Sequence, residues 1–328
     1  MGHEPDDRVS PPHDGEPDWD NLDASYEAPG ARDVVPDMPP IPDVTTPSPP
    51  KDNWDWAHHD DGHHKPQKPF PAPNYEVVTE ANPLEVDVFY SMRSPYSYLA
   101  LYRLAYLHSN YNVNVNIRVI FPVAARTAKP GQHAGSGRWY FWSYTCNDSA
   151  RTGRYEGIPF RFPNPDPILA DTEPPWSATQ ITAPMEHQPY ITWLVRLASA
   201  AQLEGKTLEY CLAVSPLIFG YEAPLGEWPF HVEARFNSIG MNYDKVIKDI
   251  NANPDKYDAV WQQNQVDFQA TGQGGVPTMS WQGEPFFGQD RFDQFLWRLR
   301  QNGLTKRHVA PREPMVARPL RWPTSGAE

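Results

Sequence analysis

The sequence predicts an α/β protein in which a strand–helix–strand unit and a strand–strand–helix unit share one sheet, with a long helical stretch between them and a charged tail in front. Three observations predict it. Apolar residues alternate in two short runs, residues 84–90 and 113–121, on either side of a helical repeat. Residues 123–272 carry few strand signals, and a second pair of short strands and a helix follows them. The formal charge lies entirely at the N-terminal end.

That charge sets the first boundary. Residues 1–80 hold 16 of the 38 prolines and 18 acidic against 5 basic residues, whereas residues 81–328 hold 23 of each sign. The net charge of −13 therefore belongs to a tail. A segment so poor in aliphatic residues cannot offset about 1–2 kcal/mol per residue of backbone ordering, so disorder is predicted over 1–80. Within it, the tract from Trp54 to His64 contains two tryptophans and four histidines. It reads as a solvated acidic segment without a preorganised metal site, and the alternative is a docking element for a protein partner. The balanced remainder has no basic excess to neutralise phosphates, which argues against nucleic acid as a partner. The sequence holds no apolar run long enough to span a membrane, and from its first residues no secretory leader is expected. Two cysteines in so long a chain, Cys146 and Cys211, neither in a C-x-x-C, give no disulfide framework and no zinc-site spacing. A reducing, cytoplasmic setting is expected.

The elements follow in order. Leu84 to Tyr90 alternates and then turns fully apolar, as a strand entering a core does. Ser94 is a good N-cap and Pro95 suits the first helical position, where its missing N–H costs nothing; apolar residues from Tyr96 to His108 continue at helical spacing. Val113, Val115, Ile117, Val119 and Phe121 mark a second strand. Helices are predicted over 137–150, 188–201, 207–219, 243–252 and 255–271, and 160–167, with three prolines, reads as a rigid loop. Residues 275–281 form a short strand, Gln282-Gly283-Glu284 a tight turn into Pro285-Phe286-Phe287, and 290–302 a last helix with Phe292, Phe295, Leu296 and Leu299 on one face. The order β-α-β, helices, β-β-α is that of a thioredoxin-type core. An all-helical domain (123–272) is inserted between its second and third strands, the core comprising 81–122 and 273–304, and 305–328 forms a C-terminal extension.

Chemistry concentrates at three places. Ser94 stands where strand meets helix, so its hydroxyl lies at a helix N-terminus that favours an anion such as a thiolate; the alternative is a plain cap. Ser97, three residues on, completes Ser-Pro-Tyr-Ser, a segment with no cysteine and hence no dithiol chemistry. A cis bond before Pro277 would turn the Val276 backbone outward to pair with a peptide. Gln289 and Asp290 open the last helix, either as its cap or as a grip on an α-amino-acid head group.

Taken together, the segments Phe89–Ala100, Gly275–Thr278 and Phe287–Phe292 resemble the 2-hydroxychromene-2-carboxylate isomerases, the kappa-class glutathione transferases and the wider DsbA-like thioredoxin family. The resemblance covers about residues 84–302. Where the oxidoreductases have C-P-x-C, this chain has Ser94-Pro95-Tyr96-Ser97, so disulfide exchange is excluded. The resemblance implies a glutathione-dependent isomerase or transferase acting on an aromatic or electrophilic small molecule. In it Ser94 activates the thiol, Val276 and Pro277 hold the cysteinyl part, and Gln289 and Asp290 hold the γ-glutamyl group. It further implies a homodimer. One stretch departs from the pattern: 124–133 lacks the Asn-x-Pro-Pro of these families, leaving Lys129 or Arg138 for the basic contact. Tyr96, Ser97, Trp139 and Tyr140 are the candidate substrate-pocket residues; the aromatics from Trp139 to Tyr144 are otherwise helical-domain core. The competing function is a non-catalytic thioredoxin-like binding protein whose acidic tail recruits a partner.

Overall fold

A computed structural model of the chain describes residues 78–122, 139–168, 170–172, 179–181 and 188–322, without the side chains of 139–143, 170–172 and 179–181. Of the tail expected to be disordered over 1–80, residues 78–80 are ordered, with Val78 buried and Glu80 paired with Arg307; residues 1–77, which include the 54–64 tract, lie outside the described residues, as do the 124–133 stretch and Arg138.

Strand β1 (Leu84–Tyr90) pairs in parallel with β2 (Val113–Val119), in register from Leu84 opposite Val113 to Tyr90 opposite Val119. Helix α1 (Pro95–Asn110) makes the crossover. On its other side β1 pairs antiparallel with β5 (Thr278–Trp281), and β5 pairs with β6 (Glu284–Phe287), giving the order β2-β1-β5-β6. The turn between β5 and β6 is two residues, Gln282 and Gly283, both at positive φ, the geometry that matches the twist of a hairpin. A 3₁₀ turn, Gln289–Arg291, leads into the last helix, α8 (Phe292–Gln301). This is the thioredoxin-type fold the residue pattern predicts.

Between β2 and β5 lie α2 (Trp139–Glu156), a ribbon of β3 (Ala170–Thr172) and β4 (Thr179–Ile181), then α3 (Pro189–Leu203), α4 (Thr207–Phe219), α5 (Trp228–Ser238), α6 (Tyr243–Ala252) and α7 (Pro254–Ala270). Two expectations change here. The insert is not all helical, because three-residue strands are too short for alternation to register. Helix α5, which pattern reading missed, starts Trp-Pro and places Trp228, Val232 and Phe236 in the core at a spacing of four. Helix α2 also runs six residues further than expected, to Glu156.

Alternation along β1 sends Val86, Val88 and Tyr90 into one core and Phe89 into the other. On the first face the Tyr90 hydroxyl meets Ser215 Oγ of α4 at 2.8 Å. On the second face Phe89 packs against Phe268 of α7, ring centroids 5.4 Å apart. The insert thus supplies cover for both faces of the sheet, and its residues share one continuous apolar core with α1. The C-terminal extension is pinned along the far end of α1, where Trp322 is buried against Tyr106, Tyr111 and Phe292.

Candidate functional site

The sheet register assembles the site. Thr278 sits opposite both Phe89 of β1 and Phe287 of β6. The residues just beyond these pairs, Ser91–Ser94, Val276–Pro277 and Gly288–Asp290, therefore come together at one end of the sheet. The Gly288 N–H donates to the Pro277 carbonyl at 2.9 Å and fastens the hairpin's open end. Gly288 has φ 104°, and a Cβ there would collide with the Asp290 carboxylate, so the turn requires glycine. The Val276–Pro277 bond is cis.

Ser94 caps α1: its Oγ accepts from the Ser97 N–H at 3.2 Å and donates to the Val276 carbonyl at 3.3 Å. It opens on a cleft of about 1130 Å³, walled by the α1 start, by α2 residues such as Tyr144, Asp148 and Tyr155, by Gln273–Val276 and by Phe287–Arg291. Of the sequence-predicted residues, Ser94, Tyr96, Val276, Gln289 and Asp290 line it. Pro277 lies directly behind Val276. Ser97 does not reach the wall: its side chain is fully buried, its N–H supports Ser94, and its hydroxyl accepts from the Ser91 N–H at 3.5 Å. The pocket role expected of Ser97 is corrected to one of support, since its hydroxyl is drawn under the loop by the Ser91 N–H and is fully buried. Trp139 and Tyr140 start α2, but their side chains lie outside the described residues. Among the aromatics of that helix, Tyr144 is exposed and lines the cleft.

Several cleft residues carry no motif and escape pattern reading. Arg93 forms a fork-on-fork pair with Asp166, both bonds 2.8 Å and both side chains 7% exposed, tying the α1 start to the 160–167 loop. That loop has neither helix nor strand and carries a second cis bond, Asn164–Pro165. The Tyr96 hydroxyl donates to Asp148 at 2.9 Å; burial, reinforced by that carboxylate, pushes the phenol well up and keeps it protonated. On the far wall Arg103 reaches Gln289. The available signal was a charged residue in the midst of Leu99, Ala100, Leu101, Leu104, Ala105 and Leu107, all buried.

The cleft has no nucleophilic sulfur of its own. Cys211 is fully buried, its thiol raised well above the ordinary value. Cys146, on α2, is pushed up to about 12 by burial, the Arg93 charge opposing this only in part. Both stay thiols at neutral pH. Among the described residues no group of three His, Cys, Asp or Glu side chains is placed to hold a metal ion, and no helix is long and apolar enough to cross a membrane.

A thioredoxin-type sheet with a wide cleft at the N-terminus of its first helix, where Ser94 stands, defines the class of protein. The chain belongs to the DSBA-like thioredoxin domain family, whose pattern it matches over residues 85–300. Among solved structures it is similar to a 2-hydroxychromene-2-carboxylate isomerase, at 20% identity over 66% of this chain and 95% of that one, TM-score 0.48. It is also similar to a probable DsbA oxidoreductase from Streptomyces coelicolor (14% identity, 67% and 89% covered, TM-score 0.47). A third is the cytosolic disulfide reductase DsbM from Pseudomonas aeruginosa, solved with GSH (13% identity, 66% and 100% covered, TM-score 0.41). No curated protein sequence matches the chain.

Proposed function

We propose that the protein is a glutathione-dependent isomerase or transferase acting on an aromatic or otherwise electrophilic small molecule, with Ser94 stabilising the thiolate. The observation that carries this reading is the approach of Ser94 Oγ to the Val276 carbonyl, 3.3 Å, at the N-terminus of α1 and in one cleft with the Gly288–Asp290 turn.

The residues present fit a cysteine-containing peptide. Val276 O is engaged by a bond long for a hydroxyl donor, and a peptide N–H could take it over. The Ser94 hydroxyl proton would then be free to turn toward a sulfur at the helix N-terminus, where unpaired N–H groups and the dipole already favour negative charge. Glutathione would supply the thiolate nucleophile that neither cysteine can. An isomerisation then needs a sulfur–carbon bond to form at an electron-poor carbon, rotation about the neighbouring bond once its double-bond character is lost, and the same sulfur–carbon bond to break. The cleft, at about 1130 Å³, exceeds the roughly 300–1,000 Å³ typical of one small ligand and has room for a thiol peptide with a second molecule beside it. Tyr96, Tyr144, Tyr155 and Phe287 supply aromatic surface for that second molecule.

Titration calorimetry with reduced glutathione tests this directly. Binding is expected, with the thiol pKa of the bound peptide well below the free value of about 8.5 and restored toward it in Ser94→Ala. No binding at millimolar concentration, or an unchanged thiol pKa in the variant, overturns the reading.

The same hydrogen bonds favour a second reading. With Ser94 engaged by both Ser97 and Val276, the serines can equally mark a non-catalytic binding domain, with residues 1–80 recruiting a protein partner. Pull-downs with the full chain and with a chain lacking 1–80 separate the two; equal recovery of partners counts against recruitment.

A further inference from the structure

Arg103 is a buried charge with an unusual set of partners. It projects from α1 with its side chain 6% exposed, its guanidinium 5.0 Å from the centre of the Phe292 ring. Its carboxylate partner, Glu156 of α2, is 7% exposed and stands off at 3.7 Å, and Arg103 Nε and Glu156 Oε2 each lack a hydrogen-bond partner. Burial pushes the Glu156 carboxyl up, against the pull of Arg103. Desolvating a guanidinium costs several kcal/mol, which a loose ion pair does not return. The hydrogen bonds of Arg103 go to Gln289: Nη2 donates to the backbone carbonyl at 3.0 Å and to the side-chain Oε1 at 2.5 Å, shorter than the usual N–H···O range.

That second bond settles the orientation of an amide. A guanidinium has donors alone, so Gln289 must offer it the oxygen, and the NH2 end is what remains to meet a ligand. Gln289, Asp290 and Arg103 all line the cleft. An NH2 donor beside the Asp290 carboxylate is complementary to an amino-acid head group, the NH2 facing its carboxylate and Asp290 its ammonium.

We infer that Arg103 is a positioning residue: it fixes the Gln289 amide as a donor into the cleft and thereby makes the site select thiols that carry a zwitterionic γ-glutamyl head group. The inference rests on the proposed thiol-peptide function and assigns the residue that sets its selectivity. Thiol carriers lacking the head group, such as cysteinylglycine, gain nothing from Arg103.

Dissociation constants for reduced glutathione and for cysteinylglycine, measured by calorimetry on the full chain and its variants, test it. The native protein is expected to bind glutathione more tightly. Arg103→Met weakens glutathione by about tenfold or more and leaves cysteinylglycine within twofold. Because Arg103→Met leaves Glu156 without its counter-charge, Gln289→Leu serves as a second variant that removes the donor and spares the buried pair; the same selective loss is expected. Arg103→Met should add no further loss of glutathione binding in the Gln289→Leu background. Equal weakening of both ligands in both variants, or independent losses in the double variant, overturns the inference and leaves the thiol-peptide function standing. A native protein that binds neither thiol overturns both.

Discussion

The two ends of α1 differ in what covers them. At the Asn110 end, polar groups are covered by the C-terminal extension. His108 Nδ1 accepts from the Val115 N–H, and the Arg312 guanidinium donates to the His108 carbonyl at 2.7 Å, to Asn114 Oδ1 at 2.6 Å and to the Val113 carbonyl. Trp322 closes over Tyr106 and Tyr111 and donates to the Tyr111 hydroxyl. At the Pro95 end the Arg93–Asp166 pair is as short, at 2.8 Å, but Ser94, with bonds of 3.2 and 3.3 Å, opens on the cleft, and Arg103, midway along the helix, keeps a loose pair with Glu156 there. The sealed end has its interactions completed by the chain's own C-terminal extension. The open end leaves its serine and its turn in bonds a ligand can replace, and so carries the binding role in the proposed function.

Breaking the seal should cost most. Trp322→Ala removes a ring buried among three aromatics and is expected to lower stability by about 3–5 kcal/mol, read as a fall in the urea midpoint. A loss below about 1 kcal/mol would mean that the extension merely rests on the fold.

Acid should attack the same end next. Burial, with the Arg312 and Arg307 charges adding to it, pushes His108 from 6.5 down to about 4. Below pH 6.5 the unfolded chain binds a proton that the folded chain refuses, so this stability is full above pH 6.5 and is lost as pH falls toward 4. The loss between pH 7 and pH 5 is about 2 kcal/mol. His108→Gln, which keeps an acceptor for the Val115 N–H, should flatten that part of the stability profile; an unaltered slope would assign the titration elsewhere.

Much of this architecture was legible in the residues, and the reason is local. Strand alternation at Leu84–Tyr90, the Ser94-Pro95 cap and the Gln282-Gly283 turn each encode their geometry within a few positions. The meeting of Ser94, Val276 and Gln289 came instead from the family resemblance, since it depends on a register between strands far apart in the sequence. What stayed hidden depends on distant partners. Nothing near Arg93 announces Asp166, and nothing near Arg103 announces Glu156 or Gln289, because those pairs exist only once the insert and the last helix have packed on α1. The Ser97 side chain was misplaced for a related reason: redox-motif spacing marks a position on the chain and does not say which way a helix turns it.

The smallest effect on stability is the most telling. Ser94→Ala removes one cap, for which about 1 kcal/mol is the usual cost. The chain holds its own control in Asn242, which caps α6 by accepting from the Lys245 N–H at 2.8 Å, against 3.2 Å for Ser94. If the open end of α1 is arranged for a ligand, Ser94→Ala should destabilise no more than Asn242→Ala does in urea titrations, while raising the pKa of bound glutathione, which Asn242→Ala leaves unchanged. A Ser94→Ala cost well above that of Asn242→Ala, with no change in the bound thiol, would make Ser94 a structural cap. The two ends of α1 would then differ in cover and not in purpose.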